Sequence, residues 1–174
     1  TQLGLLTGFA FVIFYVICGI PIARLADRGN RRTIIAIALS TWSIMTALTG
    51  MAQNYTQMVL ARIGVGIGEA GGSPPSHSMI SDMFAPNKRA TALAVYASGI
   101  YLGILAGYII GGWLSQYIGW RQTFLVIGLP GVLLAVLVRM TIKEPPRGFS
   151  QDTPVSHAPS MPTFMEVLHV LWSR

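Results

Sequence analysis

Two ionisable residues stand where charge is costly. Arg62 and Glu69 lie in the run Arg-Ile-Gly-Val-Gly-Ile-Gly-Glu-Ala, inside a long apolar block. Seven residues make two helical turns, so on a helix the two share a face about 10 Å apart along the axis. That is too far for a contact pair and suits bracketing one anionic group. A charge at bilayer depth costs at least about 2.5 kcal/mol, which makes the pair a functional candidate, with an ion pair to another helix as the structural alternative. The Glu69 carboxylate can take up and release a proton, as coupling chemistry requires. His77 follows in the same segment as a candidate proton relay, its plainer role being a hydrogen bond to a neighbour. Tyr96 and Tyr101 in the next apolar block are candidate cavity aromatics.

A second constellation lies between blocks. The stretch Ala23-Arg24-Leu25-Ala26-Asp27-Arg28-Gly29-Asn30-Arg31-Arg32 puts an acid among arginines in a tight turn. Asp27 can accept hydrogen bonds there, and Arg28, Arg31 and Arg32 can reach helix C-terminal carbonyls or carboxylates. Asp82 sits near the end of a later block, where pairing with Arg28 or Arg31 gives it a gate role rather than a substrate role. Ordinary topological charge is the alternative for this loop.

Other chemistries find little support. Cys18 stands alone in an apolar block, so no disulfide or metal spacing exists, and no cofactor or metal is expected. Ser73, Ser76 and His77 superficially suggest an intramembrane protease, but no serine is set against a histidine on a separate glycine-flanked helix, so an enzyme is not expected. Gly71, Gly72, Pro74 and Pro75 loosen the segment they occupy, which is tolerated where a helix lines a cavity. Gly99, Gly103, Gly107 and Gly111 recur every four residues and suit close helix packing more than binding.

The elements that must hold these residues follow from composition. Of 174 residues, 52% are hydrophobic and 10% charged, against about 25% charged in a soluble domain. The apolar residues form blocks near the roughly 20 residues that cross a bilayer core. Backbone groups in hydrocarbon must be paired within their own segment, and the blocks lack the alternation of barrel strands, so helices are expected. Five spans are expected at about 3–22, 33–52, 56–84, 90–114 and 123–141, together making residues 1–142 an all-α, polytopic bundle. A Ser- and Pro-rich cytoplasmic linker is expected over 143–163, and the start of a further helix or an interfacial helix over 164–174. The net charge of +6 sits in short clusters between blocks, which argues for topology and against nucleic acid. Arg24, Arg28, Arg31 and Arg32, then Lys88 and Arg89, then Arg139, Lys143 and Arg147 mark alternate loops, so those loops are cytoplasmic. Residue 1 is then external, and with neither an initiating methionine nor a signal sequence the chain is expected to be a fragment lacking one upstream crossing.

The loop Asp27-Arg28-Gly29-Asn30-Arg31-Arg32 resembles the signature joining the second and third helices of major-facilitator carriers, with Ala23 and Asn30 in place of the usual glycines. Its Asp-Arg-x-Asn-Arg-Arg form is similar to the spinster-like branch. Arg62, Gly64, Gly66, Gly68, Glu69 and Ala70 resemble the fourth-helix motif of the same branch, and Gly119-Trp120-Arg121 before Phe124 resembles the entry to the sixth helix. The resemblance implies helices two to six of the N-terminal half, with Asp27 as gating acid, Arg28, Arg31 and Arg32 as its charge network, and Arg62 and Glu69 facing a central cavity. It also implies a multi-pass protein of a plasma or bacterial inner membrane, surrounded by lipid and completed by a C-terminal half. The function so implied is secondary active transport of a small organic or amphiphilic, lipid-like anion, with protons as the coupling ion. A receptor or sensor that keeps the carrier fold without transport is the alternative.

Overall fold

A computed structural model describes residues 8–148 as helices and their connections, with no strand among them. The parts of the expected linker beyond 148 and the segment 164–174 lie outside the described residues, as does the start of the first expected span. The elements are α1 (Ala10–Arg28), α2 (Arg31–Met51), α3 (Tyr55–Ala70), α4 (Ser73–Met83) and α5 (Pro86–Thr141).

Each boundary has a local cause. The Gly29 N–H closes α1 on Leu25 O at 2.7 Å, and Asn30 then starts α2, its Oδ1 accepting from both Thr33 N and Thr33 Oγ1 at 2.8 Å. Asn54 does the same for α3, accepting from Gln57 N at 2.9 Å, while Gln57 Oε1 takes the Gln53 N–H at 2.7 Å. These asparagines satisfy amides that have no partner inside a helix. The expected third span is two helices, because Gly71 and Gly72 separate α3 from α4 and Pro74 and Pro75 occupy the first turn of α4.

The 56 residues of α5 would reach about 84 Å if straight, more than twice a bilayer core. They are not straight: Gly119 takes φ 78°, ψ 158°, a conformation that favours glycine, and breaks the helix into limbs 86–118 and 120–141. These limbs carry the fourth and fifth expected spans. Among the described helices, α2 and α5 combine the length and apolar character needed to cross a membrane.

α2 packs most extensively on α5 and then on α3, and α3 also packs on α1. Its buried face is small: Ala36, Ala38, Ser43, Ala47, Thr49 and Gly50. The limb 120–141 answers with Gly128, Gly131 and Ala135. A Cβ added at Gly128 would stand 2.6 Å from Ala47 N and 2.8 Å from Ser43 O, so the two backbones are nearly in contact. At the Ala52 end of this pair, Arg121 donates to Ala52 O at the C-terminus of α2 and lies 4.5 Å over the Trp120 ring. The limb 86–118 is largely exposed. A Cβ at Gly99, Gly103 or Gly107 would meet nothing within 4 Å, while one at Gly111 would stand 3.6 Å from Ile127 Cδ1, so among the described residues only the Gly111 end of that stripe meets a neighbour.

Candidate functional site

The best-formed polar cluster lies at the end of the bundle that carries the α1–α2 loop. Arg31 is 1% exposed, and its guanidinium faces two carboxylates at once. Its Nη1 donates to Asp82 Oδ2 at 2.5 Å and to Ser78 Oγ at 2.9 Å, both on α4. Its Nε donates to Glu144 Oε1 at 2.8 Å, and its Nη2 to the Pro145 carbonyl at 2.9 Å. A planar fork suits this division between partners on different elements, which a lysine could not serve.

The segment after α5 completes the cluster. Glu144 Oε2 accepts the Arg32 backbone N–H at 2.8 Å, and Arg32 Nη1 reaches the Ile142 carbonyl at 3.2 Å. Arg147 donates to the carbonyls of Ala26 and Gly29 at 2.9 Å and to that of Asp27, so it caps the C-terminus of α1, where exposed carbonyls favour a cation. Gly148 N donates to Asp82 Oδ1 at 3.0 Å. Asp82 is thereby held from both sides, and residues 142–148 form a strap across α1, α2 and α4. Burial pushes the Glu144 carboxyl up, but the hydrogen bonds from Arg31 and from the Arg32 amide outweigh it and hold the group below the usual carboxylate range.

The expected gate residues therefore separate. Arg31, Arg32 and Asp82 meet, and Asp82 takes Arg31 rather than Arg28. Asp27 and Arg28 are exposed, and their side chains make no ion pair or hydrogen bond among the described residues; Asp27 contributes its backbone carbonyl. Glu144, Arg147 and Ser78 were not expected here, and Glu-Pro-Pro-Arg-Gly reads as linker by its prolines. The signal that could have found them is its position: the only acid after Asp82 and before the polar stretch, on the same side as the arginine loop.

The cavity candidates are not gathered in the same way. Gly64, Gly66 and Gly68 let α3 approach its neighbours, since a Cβ there would stand 2.5 Å from the Met45 side chain, 2.8 Å from Phe11 O and 2.6 Å from Trp42 N respectively. The same helix leaves Arg62 half-buried and Glu69 exposed. His77 meets Tyr96 edge-on with ring centroids 5.2 Å apart, joining α4 to α5. Tyr101 is 73% exposed and stands away from both. A largely apolar groove of about 370 Å³ between α2 and α3, lined by Met45, Leu48, Met51 and Leu60 with Gln57 as its polar side chain, includes none of these residues, and Gln57 Oε1 already accepts the Gln53 N–H.

Residues 1–173 match the model of the Major Facilitator Superfamily. The chain is 39% identical over 158 residues to an MFS-type efflux pump of Mycolicibacterium smegmatis, covering 91% of this chain and 36% of the pump. It is 33% identical to a sphingosine-1-phosphate transporter of Danio rerio, covering 83% of this chain and 29% of that protein. It also superposes on the crystal structure of a bacterial homolog to the human lysosomal transporter Spinster, inward-facing and occupied, with a TM-score of 0.74 and 43% identity over 86% of this chain and 38% of that one. The chain thus spans about a third of the length of these relatives.

Proposed function

The chain belongs to the major facilitator superfamily, in its spinster-like branch, and we propose that it forms the gate-bearing half of a proton-coupled carrier that moves an amphiphilic or small organic anion by alternating access. Membership makes it a membrane protein of a transporter family. The proposed carrier has the length of the relatives, with a C-terminal half completing the path, and sits in a plasma or bacterial inner membrane.

The observation that carries this reading is the buried Arg31 joined to Asp82 and Glu144. It ties the α1–α2 loop, the end of α4 and the segment after α5 into one rigid block, as rocking of one bundle against another requires. Asp27 and Arg28 stand exposed at its edge, free to meet a second bundle and part from it in each cycle. In the cavity role, Arg62 supplies a fixed positive charge for the anion's head group and Glu69 carries the proton. His77 with Tyr96 links the two helices beside it, and Tyr101 offers aromatic surface. The stripe of Gly99, Gly103, Gly107 and Gly111 is the proposed contact for another helix.

The test is uptake by the full-length carrier in proteoliposomes under an imposed pH gradient, with sphingosine 1-phosphate as the probe anion. Glu69→Gln should abolish gradient-driven accumulation and leave exchange of the probe. Full proton dependence in Glu69→Gln would remove Glu69 from coupling. No gradient-dependent flux of the probe or of a shorter-chain phosphate would favour a receptor that keeps the fold.

A further inference from the structure

Around the end of α5, cations outnumber the carboxylates that answer them. Arg31 takes both carboxylates of the cluster, Asp82 and Glu144, and Arg147 is spent on the carbonyls that close α1. Arg32 is left with the Ile142 carbonyl, a bond of 3.2 Å from Nη1, while its Nε is buried without a hydrogen-bond partner among the described residues. That bond puts the Arg32 guanidinium beside the backbone that leads into Lys143. Arg139 lies one turn before Ile142, in the last turn of α5. Arg139 and Lys143 are both exposed, and neither makes an ion pair or hydrogen bond among the described residues. Three cations without a carboxylate thus gather around residue 142.

The helix that ends here also has an open apolar face. Gly128, Gly131 and Ala135 belong to its packed side. On the far side Leu133, Leu137 and Met140 follow one another at spacings of four and three and are 73%, 54% and 78% exposed. α5 is long and apolar enough to cross a membrane, and it stops at Thr141, so in a bilayer these three side chains meet hydrocarbon and the cations stand at head-group level.

We propose that the end of α5 binds an anionic phospholipid of the cytoplasmic leaflet, its phosphate held by Arg32, Arg139 and Lys143 and one acyl chain laid along Leu133, Leu137 and Met140. A phosphate supplies several acceptors at once, which answers the unpartnered Nε of Arg32 and two free cations with a single group. The net negative head group is selected over a zwitterionic one because the ammonium of the latter would be set against three positive charges. The apolar lane below the cations selects a lipid over a free phosphate, since the acyl chain keeps the head group at the site. The site draws on the chain's membership of a membrane family and on no step of transport.

Native mass spectrometry of the full-length protein, released from mixed micelles with equal phosphatidylglycerol and phosphatidylcholine of the same acyl chains, tests this. Phosphatidylglycerol should be the lipid retained. Each cation near an anionic head group strengthens binding about fivefold, so Arg139→Gln with Lys143→Gln should cut the preference by about 30-fold. Lys143 lies beyond the helix, so Lys143→Gln alone, with about a fivefold loss, keeps the test open should the double variant fail to fold. Lys88→Gln removes a cation from another loop and should leave the preference as it was. Equal retention of the two lipids by the unaltered protein would overturn the site. So would an undiminished preference in the double variant, or equal losses in Lys88→Gln and Lys143→Gln, which would reduce the effect to bulk charge. Displacement of phosphatidylglycerol by inorganic phosphate would show a free-anion site in its place.

Discussion

Replacing Arg31 separates a working charge clasp from incidental surface charge. Arg31→Lys keeps the positive charge but replaces a fork with a point. A single ammonium placed at Asp82 keeps that partner and gives up the Nε bond to Glu144 and the Nη2 bond to Pro145 O. Bonds to charged groups contribute about 1.5–3 kcal/mol each, and partial exposure of Asp82 (14%) and Glu144 (24%) places these at the low end, giving a loss of about 2–3 kcal/mol. Arg31→Met leaves two carboxylates without their cation and should cost about 3–4 kcal/mol. Adding Asp82→Asn and Glu144→Gln to Arg31→Met should recover at least half of that, because neutralising all partners removes the stranded charge. The assay is denaturant unfolding in detergent followed by tryptophan fluorescence, with the variants read as a thermodynamic cycle. Losses below about 0.5 kcal/mol for both single variants, or no recovery in the triple variant, would refute the clasp.

Four further outcomes follow from the same geometry. Glu144 titrates below an ordinary glutamate, so its contribution is fully present above the unfolded value of about 4.3 and is lost as pH falls through the lower folded value; Glu144→Gln should flatten the acid limb of a stability–pH profile relative to the unaltered protein. Gly128→Ala should destabilise by about 1–3 kcal/mol in the unfolding assay, since its Cβ would press on backbone at Ala47 and Ser43. Gly103→Leu meets nothing among the described residues, so a fall in uptake by the full-length carrier would reveal a helix packed on that stripe, and unchanged uptake would remove the stripe from packing. Asn30→Ala should cost about 1 kcal/mol, with Asn30→Ser restoring most of it, because the contribution is a cap on Thr33.

Sequence reading was strongest where bulk physics decides. Apolar block length and the absence of strand alternation were enough to expect helices, and the Asp27–Arg32 loop stood out because it sets an acid among arginines in a short turn. It was weaker where a residue's role depends on what lies far away along the chain. Glu144 looked like linker because proline marks a local break, whereas its partner Arg31 is 113 positions earlier. The four-residue glycine stripe drew attention by its regularity, yet close backbone approaches among the described helices are made by other glycines, Gly128 against Ala47 and Ser43 and Gly66 and Gly68 against Phe11 and Trp42, whose partners sit on other helices. Asn30 was legible as a departure from a motif, but its reason, capping α2 through Thr33, appears only with the backbone in place.

The strap across residues 142–148 also orders events during biosynthesis. Arg31 finds Asp82 only 51 residues later and Glu144 only 113 residues later. At roughly 5–20 residues per second, the second partner follows Arg31 by about 6–23 s. For the first part of that interval, while α2 to α4 are made, Arg31 has neither carboxylate; while α5 is made it has Asp82 alone, and the α1 terminus still lacks the arginine that later covers its carbonyls. Nascent chains halted before residue 144 should therefore be open at this end to proteases, and chains released after residue 148 should be closed.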